Sequence, residues 1–381
     1  MDAKLIWLIA FVGLYWAYCL FWGFKGARSA KTSADYFLAG RSIGVWVFVL
    51  AATATSFSGW TFVGHPGKIF TDGLPYAFAS FYALTIPLTG VLFLRRQWVL
   101  GKAHKYITPG EMYSDYYGGN AMRLLTVLVA FLFSVPYLGV QLKASGSLFN
   151  VLSDGLVSVN LGMFALTTVV IIYVASGGLK SVAYVDCAQA ILLAVGIAIL
   201  GGITIHYAGG WNGFTSGLAN LVSKDVSSGQ NLTPDGYSMK VAIPGSIQWV
   251  SEGSKAVGGA WTGIMCMTYM FALMGIQSSP AFSMWAFSNK TPQAFRWQQV
   301  VASSLVVGIL LFTFTIFQGM GGHVLVQNGI LKNINDKNLV PELINLLSDA
   351  APWLLGLLAV CALAAMQSTG SAYMSTFSAM V

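Results

Sequence analysis

Ala54-Thr55-Ser56-Phe57-Ser58-Gly59-Trp60, followed closely by Gly64-His65-Pro66-Gly67, is a run of small and hydroxyl residues ending in helix breakers, set in an otherwise apolar stretch, residues 43 to about 70. A helix in lipid must satisfy its own backbone, so glycine and proline near its middle call for a cavity, a bound ion or a closely packed neighbour. Gly275-Ile276-Gln277-Ser278-Ser279-Pro280 repeats the pattern in a second apolar stretch. Paired interrupted helices point to the midplane site of a membrane transporter. Taken singly, each has a plainer reading, in which small residues let helices approach and proline only kinks.

Working outward, the chain has 381 residues, 56% hydrophobic and 9% charged, with mean hydropathy +0.69. A soluble domain carries roughly 25% charged residues, so an ordinary cytosolic enzyme, a disordered chain and a disulfide scaffold are all excluded. Nine apolar stretches predict nine crossings: residues 5–24, 43 to about 70, 74–94, 124 to about 148, 155–179, 182–207, 256–287, 297–326 and 350–381. The chain therefore reads as an all-α integral membrane protein of one transmembrane domain, residues 1–381. The first stretch reads as a retained helix, because its flank holds one lysine and one aspartate and no clear cleavage site follows it.

The loops after odd-numbered helices hold 12 basic residues against three acids, and the N-terminus and remaining loops hold eight against nine. Cytoplasmic loops retain lysine and arginine, so the N-terminus is predicted outside, in the plasma (inner) membrane. The net charge of +7 is thus topology, and no nucleic-acid partner is implied. The external loops 208–255 and 327–349 read as solvated, with 246–250 a weak interfacial helix. Cys19, Cys187, Cys266 and Cys361 lie in or beside apolar segments and predict no disulfide framework, and His65, His104, His206 and His323 have no metal-ligand spacing. The last helix runs to Val381 with no charged flank, which reads as the front part of a longer protein.

Within that helix, Ala365, Ser368 and Thr369 stand at i, i+3 and i+4, so their polar atoms share one face. Two hydroxyls together with carbonyls freed from an unwound helix suit a hard monovalent cation such as sodium. Hydroxyls that merely bond back along their own helix are the alternative.

Several stretches together resemble the sodium:solute symporter family, the group of sodium-coupled proline, pantothenate and sugar carriers. They are Asp35-Tyr36-Phe37-Leu38-Ala39-Gly40-Arg41-Ser42, then Ser58-Gly59-Trp60 with Gly64 and Pro66-Gly67, and then Gly139-Val140-Gln141-Leu142 with Gly146 and Leu148-Phe149. Gly177-Gly178-Leu179-Lys180-Ser181-Val182 with Asp186 and Gln189 follows, and last Leu363-Ala364-Ala365-Met366-Gln367-Ser368-Thr369. The resemblance implies a leucine-transporter-like inverted repeat of five plus five helices after one extra N-terminal helix. Residues 43–208 would be the first repeat and 256–381 a partial second one. It implies a sodium site at the carbonyls of Ala54, Phe57 and Ala365 and the hydroxyls of Ser368 and Thr369, with Asp186 on the ion path. Where proline carriers have an aspartate this chain has Ser56, and Ala272 and Ile276 stand where those carriers use aromatics, so the solute pocket departs from the familiar types.

Ser58, Gly59 and Trp60 on the first broken helix and Gln277, Ser278 and Ser279 on the second are the residues expected to bind a small polar solute. An amino acid or organic acid is the expected class, sodium the coupling ion, and alternating-access symport the expected mechanism. Met267, Met270 and Met274 form a stripe that reads as adaptable packing. No phosphate-cradling loop, catalytic triad or Cys/His cluster argues for an enzyme, and no filter repeat for a channel. The rival reading is a symporter-like sensor domain of a signalling protein, and membrane lipid is the one other partner implied.

Overall fold

The computed structural model describes residues 2–233, 236–245 and 261–381, so the weak helix expected at 246–250 lies outside the described residues. Helix α1 (Ala3–Ala27) opens the chain, and a short α2 (Ser33–Leu38) follows it. In α2 the N-cap Thr32 and Asp35 form a reciprocal capping box.

The stretch quoted first breaks as its composition requires. Helix α3 (Val45–Ser56) ends at Phe57 in extended backbone, and the chain resumes through a turn at Trp60–Gly64 into α4 (His65–Asp72), bent by 57° from α3. Hydroxyls of Thr53, Thr55 and Ser56 donate to the carbonyls of Val49, Ala51 and Ala52 one turn back, which loosens the helix before it parts. The chain then runs through α5 (Leu74–Ala77) and a tight turn, Phe78–Phe81, into α6 (Tyr82–His104). Helix α7 (Pro109–Tyr117) precedes the long α8 (Ala121–Leu152).

Helix α9 (Val159–Tyr207) has 49 residues, about 74 Å at ~1.5 Å per residue, more than twice a hydrocarbon core of ~30 Å. It is in fact two arms meeting at Gly178, whose φ of +59° and ψ of −159° break the helix. Only glycine fits, since a Cβ there would lie 2.3 Å from the carbonyl oxygen of Tyr36. The hydroxyl of Tyr36 donates to the carbonyls of Val174 and Ala175 at 3.1 and 2.8 Å, satisfying backbone groups that the break releases.

A 19-residue helix, α10 (Gly210–Ser228), occupies the loop that composition marks as a solvated connection. It is held by packing: Gly217 abuts Val324, and Phe214 meets Phe317 edge to face at 5.7 Å. Helix α11 (Gly263–Met274) passes through a tight turn at Gly275–Ser278 to Ser279, which is extended, and restarts as α12 (Pro280–Ser288). Proline excludes the helical conformation at the residue before it, which accounts for the break at Ser279. The chain continues through α13 (Gln293–Arg296), α14 (Gly308–Leu310) and α15 (Ile316–Gln327) as one apolar rod widened by π-turns, then α16 (Leu339–Asn345) and α17 (Pro352–Met380).

Among the described residues there is no β-strand, only two isolated bridges, one of which clips Ile43 before α3 to Asn289 after α12. Among the described residues, five helices are long and apolar enough to cross a bilayer, or six if the bent pair α3–α4 counts as one. The core lies where α1, α3, α8 and α17 pack around the two arms of α9. Helix α17 is buried along nearly its whole length, whereas α8 turns a broad apolar face outward, as a lipid-facing helix does. At one end of α1, Lys4 is paired with Asp154 of the α8–α9 turn at 2.8 Å. After α2, Arg41 donates to the carbonyls of Gly101, Tyr106 and Phe287, tying its own loop to the end of α6, the segment after it and the end of α12.

Candidate functional site

The end of α3 lies against the middle of α17, and both breaks of the fold have polar partners there. The Ser368 hydroxyl is 3.0 Å from the carbonyl oxygen of Ala54 and 3.2 Å from that of Ala365. Three of the five oxygens expected around a cation are therefore brought together. A fourth, Thr369 Oγ1, is buried with no hydrogen-bond partner among the described residues. A buried hydroxyl oxygen left unpaired loses its hydration without return, which is the condition a cation would relieve. Phe57, which contributes the fifth expected oxygen, occupies the extended residue at the break.

Beneath this cluster, Ser371 donates to Asp186 Oδ1 at 3.3 Å, while Oδ2 of the same carboxyl has no partner among the described residues. Asp186 is wholly buried, so the second arm of α9, after Gly178, brings an acid to Ser371, one turn along α17 from Ser368. The donor set is all oxygen, which suits a hard cation. Among the described residues no group of three or more His, Cys, Asp or Glu side chains could hold a metal ion. The four cysteines are free.

The residues expected at a solute divide into two groups. Gly59 and Trp60 line a cavity of about 330 Å³, together with Val63 and Gly64 of the same helix. Ser58 is buried beside them, its hydroxyl accepting the Trp60 N–H at 3.2 Å. The second group does not line that cavity. Gln277 donates to Ser56 Oγ at 3.0 Å and accepts from Gln299 at 2.9 Å, Ser279 meets the Tyr373 hydroxyl at 3.1 Å, and Ser278 is exposed. Gln277 thus ties the break of α11–α12 to the end of α3 rather than presenting its amide to the cavity.

Three features escape a reading of the sequence. Gln141 on α8 accepts the Gly59 N–H at 2.8 Å, supplying the partner that the broken helix lacks. Trp285 on α12 donates to Thr55 Oγ1 at 3.1 Å, a second link between the broken helices. The third is Lys143, which lines the cavity with Val140, Ala144 and Ser147, one face of α8 at i, i+3, i+4 and i+7. The signal was present, since Lys143 is one charge in a long apolar stretch, but nothing in the stretch says which face meets the break. Along the second broken helix, the hydroxyls of Thr85 and Thr89 of α6 donate to the backbone carbonyls of Met270 and Met274, while of the methionine stripe Met274 is buried and Met267 exposed.

The family model described as "SSF: Sodium:solute symporter family" matches residues 36–381. The sodium/proline symporter of Escherichia coli (strain K12) is 29% identical over 198 residues, 50% of this chain and 38% of its own length. Sodium/glucose cotransporter 2 of Rattus norvegicus is 30% identical over 232 residues, 57% of this chain and 34% of its own. The chain thus spans well under half the length of these curated relatives. A solved structure described as the substrate-bound outward-open state of a Na+-coupled sialic acid symporter superposes with a TM-score of 0.75 at 17% identity, covering 100% of this chain and 74% of that one. That likeness establishes the fold.

Proposed function

The chain belongs to the sodium:solute symporter family, whose members are carriers and not enzymes, and from that premise we propose that it performs sodium-coupled symport of a small organic solute by alternating access. The observation that carries the reading is the meeting of the α3 break with α17. Ser368 lies within hydrogen-bonding distance of the Ala54 and Ala365 carbonyls, and Thr369 Oγ1, on the next residue, is buried with no partner among the described residues. Sodium, the transported ion, takes its oxygens from Ala54, Phe57, Ala365, Ser368 and Thr369. Because these belong to two different helices, the ion favours the conformation in which α3 and α17 are joined, and their separation releases it. Asp186, which accepts from Ser371 one turn along α17, offers the leaving ion a carboxylate.

The solute is bound beside the same break, by Ser58, Gly59 and Trp60, so that ion and solute both depend on one unwound segment. That shared dependence is the physical basis of coupling. Gln277, Ser278 and Ser279 act on the solute side through the second broken helix. In the membrane the chain crosses nine times, counting the arms of α9 separately and including α6 and the broken pair α11–α12, as a single transmembrane domain. Residues 43–208 form one repeat and 256–381 part of its inverted counterpart. The N-terminus lies outside and the loop held by Arg41 lies in the cytoplasm, as the 12 basic residues of the odd loops favour. The membrane is the plasma (inner) membrane.

The test is uptake of an amino-acid and organic-acid panel by the complete protein in proteoliposomes, under an inward sodium gradient and again with potassium replacing sodium. Sodium-dependent accumulation of one compound is the expected result. Equal accumulation in both cations rejects the coupling.

A further inference from the structure

We propose that the cavity beside the α3–α4 break binds a small monocarboxylate or amino-acid carboxylate, with Lys143 as its anchoring cation. The proposal rests on the symport reading above and narrows its solute. Lys143 stands nine residues before the end of α8 at Leu152, roughly 14 Å inside the helix end. An ammonium at that depth is costly unless it meets water or an opposite charge. Among the described residues it has no ion-pair partner; the pairs present are Lys4–Asp154, Lys68–Asp72 and His104–Asp115. Its side chain is exposed and lines the 330 Å³ cavity instead, a volume at the lower end of small-molecule sites.

The rest of the lining selects among anions. Trp60, Val63 and Val140 are apolar walls, and Ser147 adds one hydroxyl a turn beyond Lys143. A sugar would bury several hydroxyls here against too few partners, each at a cost, and a phosphate would bury a second charge. A small carboxylate with a compact apolar body leaves nothing unpaired. Asp336 and Lys337 stand in the same cavity from the segment before α16, so its cations outnumber its one acid. An amino group on the solute would find Asp336, which admits an amino acid as well as a simple organic acid.

The experiment measures thermal unfolding of the complete purified protein in sodium buffer at constant ionic strength, with acetate, pyruvate, L-proline, L-prolinamide and glucose as probes. At least one carboxylate raises the unfolding temperature, and prolinamide and glucose do not. Lys143→Gln raises the concentration of that carboxylate needed by about tenfold or more, the range for a lost charge-assisted contact, while Lys143→Arg stays within about threefold. Sodium alone stabilises all three proteins equally, which shows that the variants are folded. The proposal is overturned if Lys143→Gln leaves the carboxylate response unchanged, if only the probes lacking a carboxylate respond, or if no carboxylate responds. Loss of sodium stabilisation with a Lys143-dependent carboxylate response intact would reject sodium coupling and leave the anchor standing.

Discussion

The Ser368 hydroxyl lies 3.0 Å from the carbonyl oxygen of Ala54, a contact between residues 314 positions apart that closes the broken helix onto α17. In the structure the hydroxyl donates its proton to that carbonyl. Under the proposed sodium site, the same two oxygens would turn toward the ion. Ser368→Ala and Thr369→Ala should each raise the sodium concentration needed for stabilisation about tenfold or more, equivalent to ~1.4 kcal/mol, and Thr369→Ser should restore most of the response. Thermal unfolding across a sodium series, with potassium as control, checks this. An unaltered midpoint in both alanine variants would remove these hydroxyls from the ion site.

Gln277 is the middle of a buried amide chain from Ser56 to Gln299, which in turn donates to Gln298. Truncating it strands the groups at both ends, so Gln277→Ala should destabilise the protein by about 1–3 kcal/mol and lower its unfolding temperature by a few degrees. Because the chain joins the two broken helices, sodium and solute responses should weaken together. A loss confined to solute would show that Gln277 touches the solute directly.

Gly178 and Gly139 are both glycines of long helices and should respond oppositely to alanine. At Gly178 a Cβ would strike the Tyr36 backbone and the φ is +59°, so Gly178→Ala should sharply reduce the folded yield. At Gly139 nothing among the described residues lies within 4 Å of a Cβ, so Gly139→Ala should be neutral or stabilising by up to about 1 kcal/mol. Size-exclusion profiles and unfolding temperatures of the two variants distinguish them directly.

Arg41 binds three carbonyls with one planar fork, at 3.1 Å to Gly101, 2.9 Å to Tyr106 and 3.4 Å to Phe287. A lysine ammonium lacks that geometry, so Arg41→Lys should free the 101–106 segment even though charge is kept. Trypsin cleavage at Lys102 and Lys105 should quicken several-fold, the consequence of losing about 1–2 kcal/mol of local hydrogen bonding. Digestion at wild-type rate would mean that the loop is held by other contacts.

Much of the fold was legible because its causes are local. Pro280 dictates an extended Ser279, and the hydroxyls before Phe57 together with Gly59 mark the other break. The i, i+3, i+4 spacing of Ala365, Ser368 and Thr369 already placed their polar atoms on one face. Helix α10 was not legible. Its glycine, serine and asparagine content describes a loop, and it is a helix because Phe214 and Gly217 dock on α15. The role of Gln141 was equally hidden, since its value lies in an N–H that only the break at Gly59 leaves free.

The sequence alone determined that this chain lives in lipid, that two of its helices break within residues 54–67 and 275–280, and which loops carry the basic charge. These follow from the cost of charge and of unpaired backbone in an apolar medium, which each segment meets by itself. The tertiary structure decided which oxygens meet Ser368, that Gln277 turns to Ser56, and that Lys143 faces a cavity. When every face of a helix is apolar its rotation leaves no imprint on the sequence pattern, and only packing against its neighbours sets which side chain points inward.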